Sequence, residues 1–115
     1  MVRGEIYFVD LSPRSGSEQA GRRPCIIVSH DTFSANDRWR SLTVVPLTSS
    51  ERWQRPAPTT VLFQAGEANL PRASAALAHQ VTTVDKSKII PPAVGRLSPA
   101  KGAELAGALR NYLGL

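Results

Sequence analysis

The chain contains one cysteine, three lysines and no uninterrupted apolar run longer than four residues. A single cysteine, Cys25, excludes an intramolecular disulfide framework. It also excludes any zinc site that needs two or more cysteines from one chain. A run such as Cys25-Ile26-Ile27-Val28 falls far short of the roughly 20 apolar residues of a membrane-spanning helix, so no membrane partner is expected. Met1-Val2-Arg3-Gly4-Glu5 offers no apolar h-region, so no cleaved signal peptide is expected and the simplest compartment is the cytoplasm. Aromatic residues are scarce at 6%, yet 42% of the 115 residues are hydrophobic and 20% are charged. That is the composition of a folded globule, large enough for one compact domain over residues 1–115 and too small for two.

What is present in excess is positive charge. Fourteen Lys and Arg oppose nine Asp and Glu, a net charge of +5. Eleven of the fourteen are Arg. Such a surface suits a polyanion or an acidic protein partner. Arg adds a planar fork of donors that matches phosphate and stacks on bases. A GC-rich coding bias produces the same preference for Arg.

The pattern along the chain predicts short strands followed by one helix. Residues 5–10, Glu-Ile-Tyr-Phe-Val-Asp, are rich in β-formers and end before Ser12-Pro13. Residues 14–23 are polar and predict a loop. Pro24 introduces an extended run, 25–29, apolar enough for a buried strand. Residues 30–40 predict a short helical turn or loop. Residues 42–48 predict a strand in which Pro46 cannot donate to a ladder, so an edge or a bulge is expected there. A second polar loop spans 49–58, a strand 59–63, a turn 65–67 and an extended stretch 73–84. Pro91-Pro92 is expected to break the chain before the last element. Ser98-Pro99 then supplies an N-cap acceptor and a proline at the first helical position. Leu105, Leu109, Tyr112 and Leu113 share one face of that helix, as core or dimer contact. Strands with one closing helix predict a mainly β fold, a small, partly open β-barrel with a C-terminal helix.

Four segments stand in a particular order: Arg3-Gly4-Glu5-Ile6-Tyr7, then Gly16-Ser17-Glu18-Gln19-Ala20-Gly21-Arg22-Arg23-Pro24, then Val44-Val45-Pro46-Leu47-Thr48-Ser49, then His79-Gln80-Val81-Thr82-Thr83-Val84-Asp85-Lys86. Together they resemble the MazF/PemK family of toxin endoribonucleases over nearly the whole chain. The resemblance implies an SH3-like barrel of the MazF/Kid/CcdB type, usually a homodimer. It implies sequence-specific cleavage of single-stranded RNA without a metal or other cofactor. The 2'-hydroxyl would attack the adjacent phosphate, leaving a 2',3'-cyclic phosphate and a 5'-hydroxyl. The implied partner is a MazE-like antitoxin whose acidic or apolar tail occupies the RNA groove.

By the same resemblance the catalytic Arg falls on Arg23 and the catalytic Thr on Thr48. A fixed guanidinium and a hydroxyl donor suit the negative charge that builds on the phosphate oxygens. A guanidinium holds its proton at neutral pH, so charge stabilisation suits Arg23 better than general-base work. The Kid/PemK branch uses a His, an Arg and an Asp instead. Ser17, Leu77 and His79 occupy those positions here, so that set is absent. Ser17, Glu18 and Gln19 line the RNA groove by resemblance, or form an ordinary solvated turn. Ser49 and Ser74 fall near the same groove, although Ser74 also reads as a plain strand hydroxyl. His79, beside Gln80, contacts RNA, takes the 2'-hydroxyl proton or is a surface His without a role. Trp53, between Arg52 and Arg55, is either a platform for a base or a residue packed on the barrel. Trp39 has the same two readings and leans to structure. Cys25 reads as an inert core thiol, and Asp85-Lys86 as a turn with a local ion pair. Two competing functions share the fold: a CcdB-like toxin that binds DNA gyrase and cleaves nothing, and an inactive relative that only binds.

Overall fold

The computed structural model describes residues 1–12, 15–16 and 20–115. Seven strands are formed among them: β1 (Glu5–Asp10), β2 (Arg22–Ile27), β3 (Ser41–Thr48), β4 (Thr60–Phe63), β5 (Ser74–Leu77), β6 (Thr82–Asp85) and β7 (Ile89–Arg96). A four-residue helix, α1 (Asp31–Ser34), follows β2, and α2 (Pro99–Leu113) ends the chain. All strand pairs are antiparallel, in the order β4-β5-β3-β2-β1-β7, with β6 also on β3. The two ends of that order, β4 and β7, do not pair among the described residues, so the sheet stays open.

The sheet buries apolar side chains on both faces, because its strands carry nearly unbroken apolar runs. Alternation along the strands sorts them. Ile6, Ile26, Val45 and Leu47 join one core with Val61, Phe63, Ala76 and the α2 residues Leu105 and Ala108. Tyr7, Val9, Cys25, Ile27, Leu42 and Val44 point to the other, with Val84 and Ile89. Cys25 is fully buried, the core thiol that the sequence predicts. Burial, then the hydrogen bond to Glu5, raises the Tyr7 phenol above its ordinary 10.0.

Several expectations hold and several are corrected. α2 starts as its cap chemistry predicts: Ser98 Oγ accepts from Lys101 N at 3.1 Å, with Pro99 next. Its buried stripe is Leu105 and Ala108, with Leu109 half-buried, whereas Tyr112 and Leu113 are 51% and 52% exposed. Pro46 lies in a central strand, not at an edge. On one side it pairs Cys25 of β2; on the other it falls between Val44, the last β3 residue paired with β6, and Leu47, the first paired with β5. A missing N–H is tolerated in such a gap.

The predicted loop through Arg23 is corrected at its end, since Arg22 and Arg23 already belong to β2 and pair Asp10 and Val9. The extended stretch 73–84 divides into β5, a 3-10 turn at Ala78–Gln80, and β6. Pro91-Pro92 does not break the chain but lies inside β7. That strand is an edge, and its register against β1 shifts between Ile6 and Phe8, so prolines fit. Asp85 and Lys86 do not pair with each other. Asp85 accepts from Ser87 N at 2.8 Å and meets Arg40 at 3.5 Å. The Ser87 bond, then Arg40, holds its carboxyl below the ordinary 3.8. Lys86 Nζ donates to the carbonyls of Phe33, Ser34 and Asn36, holding the end of α1 against β6.

Candidate nucleic-acid interface

The ends of β2 and β3 converge on a groove of about 410 Å³. Arg23 enters it from β2 and Thr48 from the last position of β3, with Ser49 and Ser74 beside them. These four are therefore brought together from segments far apart in sequence. Arg23 is exposed, and its Nε–H donates to Ala20 O at 3.1 Å. That bond fixes the plane of the guanidinium and leaves its terminal nitrogens uncommitted among the described residues.

Thr48 is 6% exposed. Its Oγ1 accepts from Ser50 N at 3.2 Å, a local hydroxyl–backbone turn that ends the strand. The hydroxyl's own proton is not spent in that bond and can be donated to a ligand. Ser74 differs. It too is 6% exposed, but its hydroxyl donates to Arg72 O at 2.9 Å. That favours the reading of Ser74 as a strand hydroxyl that shapes the wall.

Sequence reasoning missed most of that wall. Phe8 supplies an apolar floor and is 36% exposed, although its strand neighbours Tyr7 and Val9 are buried. The Arg22 guanidinium lies 5.6 Å from its ring centroid. Ile6-Tyr7-Phe8-Val9 is an unbroken apolar run, so no alternation in the sequence marks Phe8 in advance. Asn69, Leu70, Pro71, Arg72 and Val94 close the other side. Arg72 is a second guanidinium in the groove, and the described lining carries no carboxylate. No pattern in Pro71-Arg72-Ala73 marks that arginine in advance.

The wall rests on a strained turn. Ala68 and Asn69 have left-handed backbones, φ 53° and 62°, which non-glycine residues seldom adopt. Asn69 Nδ2 donates to Val94 O at 2.9 Å and ties this turn to β7. Gly95 lets the strands approach, because a Cβ there would collide with the Ala68 carbonyl oxygen.

Other predicted residues lie elsewhere. Ser17, Glu18 and Gln19 lie outside the described residues. Trp53, His79 and Gln80 do not line the groove. Trp53 sits in a 3-10 turn, Glu51–Trp53, with its ring 5.0 Å from that of His79. The Tyr112 ring of α2 lies 6.3 Å from that of His79, and the Arg52 guanidinium 5.1 Å from the Trp53 ring. These rings form a cluster separate from the groove, tilted or edge-on to one another. His79 Nδ1 is buried there without a hydrogen-bond partner among the described residues. Gln80 is half-buried in the adjoining turn. Trp39 packs on Phe33 at 4.9 Å, and both remain exposed.

The family of PemK-like, MazF-like toxins of type II toxin–antitoxin systems matches residues 2–113. The chain is similar to the endoribonuclease MazF9 of Mycobacterium tuberculosis, 36% identical over 118 residues, covering 100% of this chain and 98% of the relative. It is also similar to the endoribonuclease MazF of Staphylococcus saprophyticus, 32% identical over 115 residues, covering 100% of this chain and 92% of the relative. Among solved structures it resembles a mycobacterial endoribonuclease in complex with its cognate antitoxin. That match has a TM-score of 0.77 at 25% identity and covers 100% of this chain and 96% of the other.

Proposed function

The chain belongs to the family of PemK-like, MazF-like toxins of type II toxin–antitoxin systems, and on that premise we propose that its groove cuts single-stranded RNA between Arg23 and Thr48. It is a toxin endoribonuclease; relatives named as endoribonucleases along their full length disfavour a gyrase-binding toxin of the same fold. One observation carries the site. Arg23 and Thr48, which the family motif places 25 residues apart, line one groove together. Its described lining holds two guanidiniums and no carboxylate.

The reaction needs no group beyond the RNA itself as nucleophile. The 2'-oxygen bonds to phosphorus, its proton leaves, and the bond from phosphorus to the 5'-oxygen breaks with a proton added there. The products are a 2',3'-cyclic phosphate and a 5'-hydroxyl. Negative charge accumulates on the non-bridging oxygens as the phosphorus becomes five-coordinate. Arg23 supplies fixed positive charge at that point, and the Thr48 hydroxyl supplies a donor from a buried, stiff side chain. His79 lies outside the groove lining and is given no proton-transfer role. Ser49 and Arg72 contact the RNA backbone beside the cut. Ser17, Glu18 and Gln19 contribute to the same groove by the motif resemblance.

A similar endoribonuclease is solved with its cognate antitoxin, so a cognate antitoxin is the expected protein partner here. Its acidic or apolar tail would compete with RNA for the arginines. The toxin acts in the cytoplasm as a homodimer of one domain, residues 1–115. No helix is long and apolar enough to cross a membrane among the described residues.

The test is cleavage of a long unstructured RNA by purified protein in EDTA, with end groups mapped. Cuts at one short sequence, each leaving a 5'-hydroxyl, are expected. Arg23→Ala should abolish them while weakening RNA binding much less. Equal loss of binding and cleavage would make Arg23 a docking residue. An absence of cuts in every sequence context would leave a binding-only protein.

A further inference from the structure

We propose that Gln54 is a positioning residue for the Thr48 hydroxyl, clamping the turn from Thr48 to Ser50 that presents it to the groove. The inference rests on the reading of Thr48 given above. The Gln54 side-chain amide donates to Thr48 O at 3.3 Å and to Ser50 O at 3.2 Å. Those two carbonyls bracket the bond from Ser50 N to Thr48 Oγ1. Both are acceptors, so the NH2 end of the amide must face them; the reverse orientation would set three oxygens together.

The clamp answers a local weakness. Thr48, opposite Ala75, is the last residue of β3 in the ladder. Ser49 and Ser50 are both exposed. Water competes there with a lone hydroxyl–backbone bond, and bonds of this kind are weak by themselves. Gln54 adds two further bonds across the same three residues. Its own backbone is held in turn: Gln54 N donates to Glu51 O at 3.0 Å, and Trp53 N to Ser50 O at 3.2 Å. The 3-10 turn Glu51–Trp53 thus returns the chain so that the amide reaches back to the strand end. Gln54 is half-buried and does not line the groove. It acts through Thr48 and not on the RNA, which separates its effect on chemistry from any effect on binding.

The experiment is single-turnover cleavage of a short RNA holding the cut site, with protein in excess, for Gln54→Met, Thr48→Ala and the double variant. Met keeps the volume and removes the donors; Gln54→Glu keeps the shape and removes them if Met folds poorly. Thermal unfolding checks each variant. The clamp predicts that a folded Gln54 variant loses about tenfold in the saturated rate, with half-saturation changed less than about twofold. In the Thr48→Ala background the same change should cost less than about twofold, because the hydroxyl it positions is gone. A parent-like rate in the folded Gln54 variants, with Thr48→Ala defective, overturns the clamp alone. So does an equal loss with and without Thr48, or a loss confined to half-saturation. Thr48→Ala cleaving at the parent rate overturns the reading of Thr48, and the clamp falls with it.

Discussion

At the scale of single residues, Thr48 and Arg72 show two ways in which a side chain enters the groove. Thr48 comes from the end of β3, paired with Ala75 of β5, and is held by its own turn. Arg72 is exposed and precedes β5, with its carbonyl accepting from Ser74. A guanidinium so placed can track a phosphate but is not rigid enough to be tuned to one transition state. Arg72→Ala should therefore weaken RNA binding for all sequences alike and lower the slope of log affinity against log salt by about 0.7, one phosphate's worth on a single strand. A salt titration of binding, using RNA blocked at the cut site by a 2'-deoxy sugar, reads this directly. An unchanged slope removes Arg72 from the phosphate contacts. The difference also explains what the sequence disclosed. Arg23 and Thr48 lie in ordered motifs, and their residue types fit a stated chemistry. Arg72 became visible only once the turn at 66–70 had folded it across from β2.

Among elements, β7 and the turn that packs on it decide the shape of the groove wall. Ala68 and Asn69 hold left-handed backbones. The bond from Asn69 to Val94 and the missing Cβ of Gly95 let that turn sit against the edge strand. Gly95→Ala should destabilise the fold by about 3 kcal/mol, since the obstacle is a backbone carbonyl and not a movable side chain. Chemical denaturation measures it; a change below about 1 kcal/mol would show that β7 can retreat without cost. The start of α2 was legible because a cap is local chemistry: Ser98, Pro99 and the Lys101 amide are neighbours in the chain. β7 was not, since two adjacent prolines signal a break unless the strand is known to be an edge. Pro46 misled in the opposite direction. Only the pairing of β3 with β6 below and β5 above supplies the gap that receives it.

Across the whole molecule, those predicted RNA-binding residues that are described divide into two places. The groove lies at the ends of β2 and β3, while Trp53, His79 and Tyr112 cluster where α2 meets the turn after β5. His79 and Tyr112 are remote in sequence and meet because α2 packs back over β4, with Lys101 on the Leu62 carbonyl and Asn111 on that of Pro58. Periodicity placed Tyr112 on the helix but could not say what it would touch. The turn 51–53 joins the two places, so an RNA strand leaving the groove past Ser49 would reach Trp53 and Arg52. Trp53→Ala should then cost about 1–3 kcal/mol of RNA affinity, the worth of one stacked base, with little change in the saturated cleavage rate. Equal affinity for long and short RNAs carrying the same cut site, before and after the substitution, would show that the strand does not pass over the cluster.

The pairing of the two groove strands has a temporal side. β3 is bonded to β6, β2 and β5 in turn along its length, so its middle should resist hydrogen exchange longer than its ends. β2 has ladder partners on both sides only at Cys25 and Ile26; Arg22, Arg23 and Pro24 are held by β1 alone. Thr48, beyond the last β2 partner at Pro46, is likewise held by β5 alone, so both halves of the reactive groove sit on singly paired strand ends. Gentle warming would release these ends before the middle of the sheet, leaving a protein that still looks native by its overall spectrum but has stopped cutting.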